Sequence, residues 1–244
     1  MRSRNDLRLI QIFQIYNYIN LIFELNLDIK EFRLEHFMDK INITLTPTQK
    51  IFFSSDQHYG HRNVVKFCNR PYADEKEMNK ALTDNWNSVV SNDDIVVTMG
   101  DLFWFQDSHA IKKCIDKLNG KEIYIVLGNH DKREAFRKIT DERFHILDGI
   151  SHIYLRCEDE NRWYQKTFEI VCSHYPLMTW AHRERGSINL FGHIHSGPRR
   201  PDDEVDQNLP LWAGQQLDVG VDNQEFTPVS FEMVLEKLAN QLMK

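Results

Sequence analysis

The chain has 244 residues, 41% of them hydrophobic and 27% charged, with a formal net charge of −6. That length suits one α/β domain with a substantial core, and that composition excludes a disordered or collagen-like chain. The mild acidity disfavours extended, sequence-independent tracking of nucleic-acid phosphates, and no uncharged apolar run is long enough to suggest a membrane span.

The opening stretch is apolar over residues 7–27 but is broken by Gln11, Gln14, Asn17, Asn20 and Glu24. No small-residue cleavage site follows it, so it does not read as a signal peptide, and a cytoplasmic location is expected. Its apolar residues fit neither strict alternation nor a single helical stripe. Residues 1–46 are therefore expected to precede a functional domain over 47–244 as a loosely attached segment, helical at most, whether an upstream extension, a misassigned start or an oligomerisation helix. Met38 is a natural alternative start, and the segment before it is expected to be dispensable.

From Lys50 onward, short β-rich runs alternate with longer helical stretches. Strands are expected at 50–55, 94–99, 122–127, 168–173, 188–191 and 217–221, each rich in Ile, Val, Phe or Leu. Helices are expected at 75–90, 108–118, 132–139 and 230–243; in the first, Met78, Leu82, Trp86 and Val89 recur at helical spacing as a core face would. Strands alternating with helices predict a layered α/β fold.

Polar residues punctuate this pattern. Successive strands run into Asp56-x-His58, Gly100-Asp101, Gly128-Asn129-His130-Asp131, His174 and Gly192-His193-x-His195. Ligands of open α/β sheets collect at the carboxyl ends of the strands. Taken singly, Asp-x-His and Gly-Asp are ordinary turn sequences. Gly-Asn-His-Asp is sharper, and His193 and His195, alternate residues on an extended backbone, face one side, although a buried, satisfied pair is the competing reading. Together, Asp56, His58, Asp101, Asn129, His174, His193 and His195 form a mixed oxygen and nitrogen set suited to manganese, iron, nickel or zinc. Seven ligands are too many for one ion and suit two, an arrangement used for in-line displacement at phosphorus.

The ordered series DQH, GD, GNHD, H and GHIH resembles the five-block signature of the calcineurin-like metallophosphoesterase superfamily and spans residues 51–223. The flanking FFSSDQHYGHRNVVKFCNRPY, SHYPL and DVGVDN are similar to small bacterial and phage members without appended domains. The resemblance implies a four-layer α/β/β/α sandwich and hydrolysis of a small or nucleotide-like phosphoester, with a hydroxide bridging two divalent ions, manganese foremost, as nucleophile. It implies that Asp56, His58 and His195 hold one ion, that Asn129, His174 and His193 hold the other, and that Asp101 bridges them. His130 would protonate the leaving oxygen, and Asp131 would hydrogen-bond that imidazole to orient it. A nuclease is the alternative within the superfamily, made less attractive by the acidic charge. A non-catalytic scaffold is the alternative outside catalysis, opposed by the complete ligand set.

Substrate contacts are less sharply written. Asn63, just beyond the first motif, and Arg183 and Arg185, beyond SHYPL, could engage a phosphate, though a solvated charged loop would read the same way. Phe103, Trp104 and Phe105 suit core packing, with an apolar wall for a leaving group as the alternative. The four cysteines lack any zinc-finger or CxxC spacing and read as reduced thiols; Cys172, two residues before His174, is the one position where a thiol nucleophile comes into question. The Pro-rich, acidic stretch 197–214 reads as a connection that could also serve as a lid.

Overall fold

The computed structural model describes residues 39–105, 107–147, 149–159, 162, 167–196 and 211–243. They belong to a compact unit running from Phe37 to Lys244. The strands are β1 (Asp39–Leu45), β2 (Ile51–Ser54), β3 (Ile95–Thr98), β4 (Glu122–Val126), β5 (Phe144–Leu147), β6 (Ser151–Cys157), β7 (Phe168–Cys172), β8 (Ile188–Phe191), β9 (Gln216–Asp218) and β10 (Val229–Ser230). The helices are α1 (Val64–Phe67), α2 (Glu75–Val89), α3 (Ser108–Ile115), α4 (Arg133–Phe136) and α5 (Phe231–Gln241).

Two five-stranded sheets form, ordered β1-β6-β7-β8-β9 and β10-β2-β3-β4-β5. Both are mostly parallel; β6–β7 and β10–β2 are the antiparallel pairs. Alternation along each strand divides its side chains between two cores. Phe53, Val97, Leu155, Ile170 and Leu190 meet between the sheets, where α5 adds Phe231, Val234 and Leu238. Their neighbours Phe52 and Val96 turn the other way, joining Ile123 and Ile125 against Met78, Leu82 and Trp86 of α2 and Ile111 and Ile115 of α3. Helix α2 starts where Asp74 accepts a hydrogen bond from the Glu77 N–H, while the Glu77 carboxylate returns one from Ala73 N–H. The expected α/β class is thus present as a mixed fold of two parallel-rich sheets with helices.

Several expectations change. The boundary at 47 is too late: residues 39–45 are β1, paired in parallel with β6, and they bury Ile43 and Leu45 in the inter-sheet core. Residues 1–38 lie outside the described residues, and so does 197–210 of the expected connection. Val89 ends α2 exposed, not on its core face. The last expected strand stops at Asp218, whose carboxylate accepts the Gly220 N–H, and a 3-10 turn over Val221–Asn223 follows. The helix expected at 132–139 is a single turn, α4. Among the described residues no helix is long and apolar enough to cross a membrane.

Candidate metal centre

Every ligand expected from the sequence sits just beyond the carboxyl end of a strand: Asp56 and His58 after β2, Asp101 after β3, Asn129 after β4, His174 after β7, and His193 and His195 after β8. The loops are tied to one another. Asp56 N–H donates to Gly100 O, His58 N–H to Asp101 O, His130 N–H to Asp101 Oδ1, and His193 N–H to Asp56 Oδ2. Asp56, His58, Asp101, His193 and His195 all have positive φ, five of the nine such non-glycine residues among those described. That backbone costs on the order of 1–3 kcal/mol at each residue and persists where surrounding structure enforces it. Glycine is required at the closest approaches: a Cβ on Gly128 would stand 2.2 Å from Asp101 Oδ1, and one on Gly192 2.3 Å from Asp56 Oδ2.

The ligand atoms fall into two overlapping groups, Asp56/His58/His195 and Asp56/Asp101/His174. In the first, His58 Nε2 faces His195 Nε2 at 3.3 Å, with Asp101 Oδ2 3.7 Å from the former and Asp56 Oδ1 3.9 Å from the latter. His195 Nδ1 donates to Asp222 Oδ2 at 2.7 Å, which leaves the Nε2 lone pair turned toward His58. Two imidazole nitrogens in this relation need a proton or a cation between them. A cation bound at about 2.1 Å would hold its ligand atoms roughly 3–3.4 Å apart. Asp56 is fully buried with Oδ1 unpartnered; burial pushes its pKa up even with His195 and His174 opposing. A buried carboxyl of this kind calls for a positive partner.

In the second group Asp101 Oδ2 lies 3.5 Å from His174 Nε2 and 3.9 Å from His130 Nε2. Asn129 Oδ1 lies 2.8 Å from His174 Nε2 and 3.0 Å from His193 Nδ1. His174 Nδ1 donates to Met99 O, so its Nε2 meets oxygens that only a proton or a cation can satisfy. Without a cation the proton is held. Burial lowers the His174 pKa, but the Asp101 hydrogen bond and the charges of Asp56 and Asp101 outweigh it and raise it. His195 is raised well above its ordinary value in the same way, against burial, by Asp56 and Asp222. His58 is depressed well below it by burial and by the cations around it. The donor set therefore fits a metal cation, whose binding would displace protons from His174 and His195.

His130 lies at the rim, its side chain 40% exposed, edge-on to His58 with ring centroids 5.5 Å apart. Asp131 does not orient it. Asp131 Oδ2 accepts the N–H groups of Asp101 and Gly128, and Oδ1 has no partner. Burial, reinforced by the Asp101 charge, pushes the Asp131 pKa up to about 7. Asp131 thus pins together the two loops that carry Asp101 and Asn129. Asn63 is exposed and opens α1 through its carbonyl. Arg183 stacks on Trp212, its guanidinium carbon 3.7 Å from the ring centroid, and Arg185 pairs with Glu184 on the surface. Among the contacts of the described residues none brings Asn63, Arg183 or Arg185 to the metal-type ligands. Cys172 is sealed in the inter-sheet core, where burial raises its pKa far from nucleophilic use.

Four participants lie outside the ligand motifs. Asp222 and Arg70 form a buried bidentate pair, Nε to Oδ1 at 2.8 Å and Nη2 to Oδ2 at 2.7 Å, behind His195. Arg70 also donates to Asp56 O and Gln57 O, which stiffens the first ligand loop. Both residues lie in the quoted flanking text, CNRPY and DVGVDN, but only the folded chain places them behind a ligand. Beside them His61 stacks face to face on Trp104, with centroids 3.7 Å apart, and Trp104 in turn lies 4.7 Å from His130. Burial, aided by the neighbouring His130 and Arg70 charges, pushes the His61 pKa down to about 4. Of the aromatic triplet, Phe103 is core, as expected, whereas Trp104 joins the rim of the centre.

No family model matches this chain. The uncharacterized protein MJ1445 of Methanocaldococcus jannaschii is 28% identical over 189 residues, covering 77% of this chain and 90% of that protein. The Gene 66 protein of Mycobacterium phage L5 is 28% identical over 167 residues, covering 59% of this chain and 77% of its own. The crystal structure of the Aquifex aeolicus protein of unknown function AQ665 aligns with a TM-score of 0.55 at 20% identity, covering 78% of this chain and 99% of that one, and shares the fold.

Proposed function

We propose that this chain hydrolyses phosphate esters at a pair of divalent metal ions, manganese foremost, as a small phosphodiesterase or phosphatase of the calcineurin-like metallophosphoesterase type with its four-layer sandwich. The observation that carries the reading is the convergence on Asp101 Oδ2 of His58, His130 and His174 from three separate loops, at 3.5–3.9 Å. Asp56, His58 and His195 would hold one ion, and Asn129, His174 and His193 the other, with Asp101 shared. When bound, two such ions supply an acidified water and neutralise the phosphate's charge.

The chain's own groups supply the rest. Asn129 contributes an uncharged oxygen, which limits the negative charge an anionic ester meets. His130, at the open rim, would give a proton to the departing oxygen. The His61–Trp104 stack offers an aromatic face for a nucleobase or aryl leaving group. Asp222 fixes the tautomer and orientation of His195, as carboxylates behind metal-bound imidazoles do.

The test is a panel of p-nitrophenyl phosphate, its bis ester, cyclic nucleotides and single-stranded DNA, offered to metal-stripped protein with and without manganese. Metal-dependent turnover of a small ester supports the reading. Turnover of DNA alone would favour a nuclease, and inertness toward every substrate would favour a scaffold.

A further inference from the structure

A second cluster of metal-type side chains stands apart from the strand-end centre. Ile153, Leu155, Ile170 and Cys172 face the inter-sheet core, so His152, Tyr154 and Glu169 point from β6 and β7 to the opposite face of the same sheet. The loop before the 3-10 turn at Arg183–Arg185 brings His182 over them. We propose that His152 Nε2, Glu169 Oε2 and His182 Nδ1 bind a further divalent ion, of which zinc suits the donors best.

The geometry is already close. His152 Nε2 lies 3.5 Å and His182 Nδ1 2.6 Å from Glu169 Oε2, and all three atoms lie within 4.8 Å of one another. Tetrahedral zinc, with ligand bonds of about 2.0–2.1 Å, places its ligand atoms roughly 3.3 Å apart. A His182–Glu169 ion pair by itself accounts for only two of the three. His152 is 1% exposed, and its Nε2 meets only the Glu169 carboxylate, at 3.5 Å, without a well-formed hydrogen bond. Its ring is stacked on Tyr154, with centroids 4.6 Å apart. Lys40, opposite His152 on β1, is exposed and makes no ion pair with Glu169 among the described residues.

His182 is equally constrained, with φ of 59° and a carbonyl that accepts the N–H groups of Arg185 and Ser187. Glu169 and His182 retain 33% and 38% of their side-chain exposure, which leaves an open side for entry and a fourth ligand. Two histidines, one glutamate and an open position form a known zinc arrangement. This group shares no residue with the groups of the strand-end centre.

The full-length, metal-stripped protein is equilibrated with zinc, desalted and counted by elemental analysis. Glu169→Gln and His182→Ala should each carry one zinc fewer than wild type, with affinity at this site lower by at least about 100-fold. Both should keep the wild-type urea midpoint in EDTA and the wild-type manganese-supported turnover, if turnover is found. Asp101→Asn should keep the zinc that His182→Ala loses, and His182→Cys, which restores a ligand, should recover it. Wild-type zinc content in Glu169→Gln and His182→Ala would overturn the proposal, as would loss in His182→Ala with no recovery in His182→Cys.

Discussion

Asp222→Asn isolates the buried support behind His195. The substitution keeps the shape but removes the charge that Arg70, with no exposed side-chain surface, relies on. Removing one partner of a buried ion pair costs about 3–5 kcal/mol, and the surviving Asn oxygen should hold the loss near the lower figure. The acid–base behaviour gives an independent scale. Burial raises the Asp222 pKa, but Arg70 and the His195 hydrogen bond outweigh it and hold the carboxyl at about 2 against an ordinary 3.8. That depression corresponds to about 2.5 kcal/mol of folding stability. Because the folded value is the lower one, the contribution is fully present above pH 3.8 and is lost as pH falls through about 2. Urea denaturation of the metal-free protein should therefore show Asp222→Asn less stable by about 2–3 kcal/mol at neutral pH, with the gap closing toward pH 2. Manganese affinity should fall about 10–100-fold, since His195 loses its orienting carboxylate. A stability difference below about 1 kcal/mol together with unchanged metal affinity would refute the claim that this pair underpins the centre.

Three further outcomes follow from the geometry. His130→Ala should retain metal and fold while losing about 10²–10⁴ in kcat, with alkyl esters suffering more than aryl esters; equal losses across leaving groups would mean that His130 positions the phosphate instead. Gly192→Ala should lose metal, because its Cβ would stand 2.0 Å from Ser55 Oγ and 2.3 Å from Asp56 Oδ2; wild-type metal content in that variant would show the loop to be adaptable. A chain starting at Met38 should fold and keep its metal, whereas one starting at Pro47 loses β1 with Ile43 and Leu45, worth about 1.5–3 kcal/mol each; equal urea midpoints for the two would remove β1 from the core.

The polar chemistry of this chain is unusually open to reading because each ligand follows a β-rich run and the fold sends those runs to a common rim. DQH, GD, GNHD and GHIH are local patterns, and parallel strands convert their order along the chain into proximity. The strands read most easily, β2, β3 and β8, are buried at every position and apolar except at Ser54, Thr98 and Asn189. By contrast β1, DKINITL, alternates polar and apolar at a sheet edge, and β6 carries His152 and Arg156 among its apolar residues, so neither stands out as a buried strand. The supports are hidden for a different reason. Arg70 and Asp222 are 152 residues apart, and no local pattern encodes a pair closed by tertiary folding. Asp131 illustrates the remaining limit: adjacency to His130 suggests an imidazole partner, but the turn directs its carboxylate to the N–H groups of Asp101 and Gly128.

The most direct test of the central claim is the manganese content of wild type and Asp101→Asn, counted by elemental analysis beside hydrolysis of bis-p-nitrophenyl phosphate. Asp101 Oδ2 is the oxygen on which histidines from three loops converge. Wild type should carry two manganese equivalents that depend on this carboxylate and should hydrolyse the ester only with metal present. Asp101→Asn should lose both the metal and the activity. Undiminished manganese in Asp101→Asn, or ester hydrolysis by the metal-stripped wild type, would contradict the account.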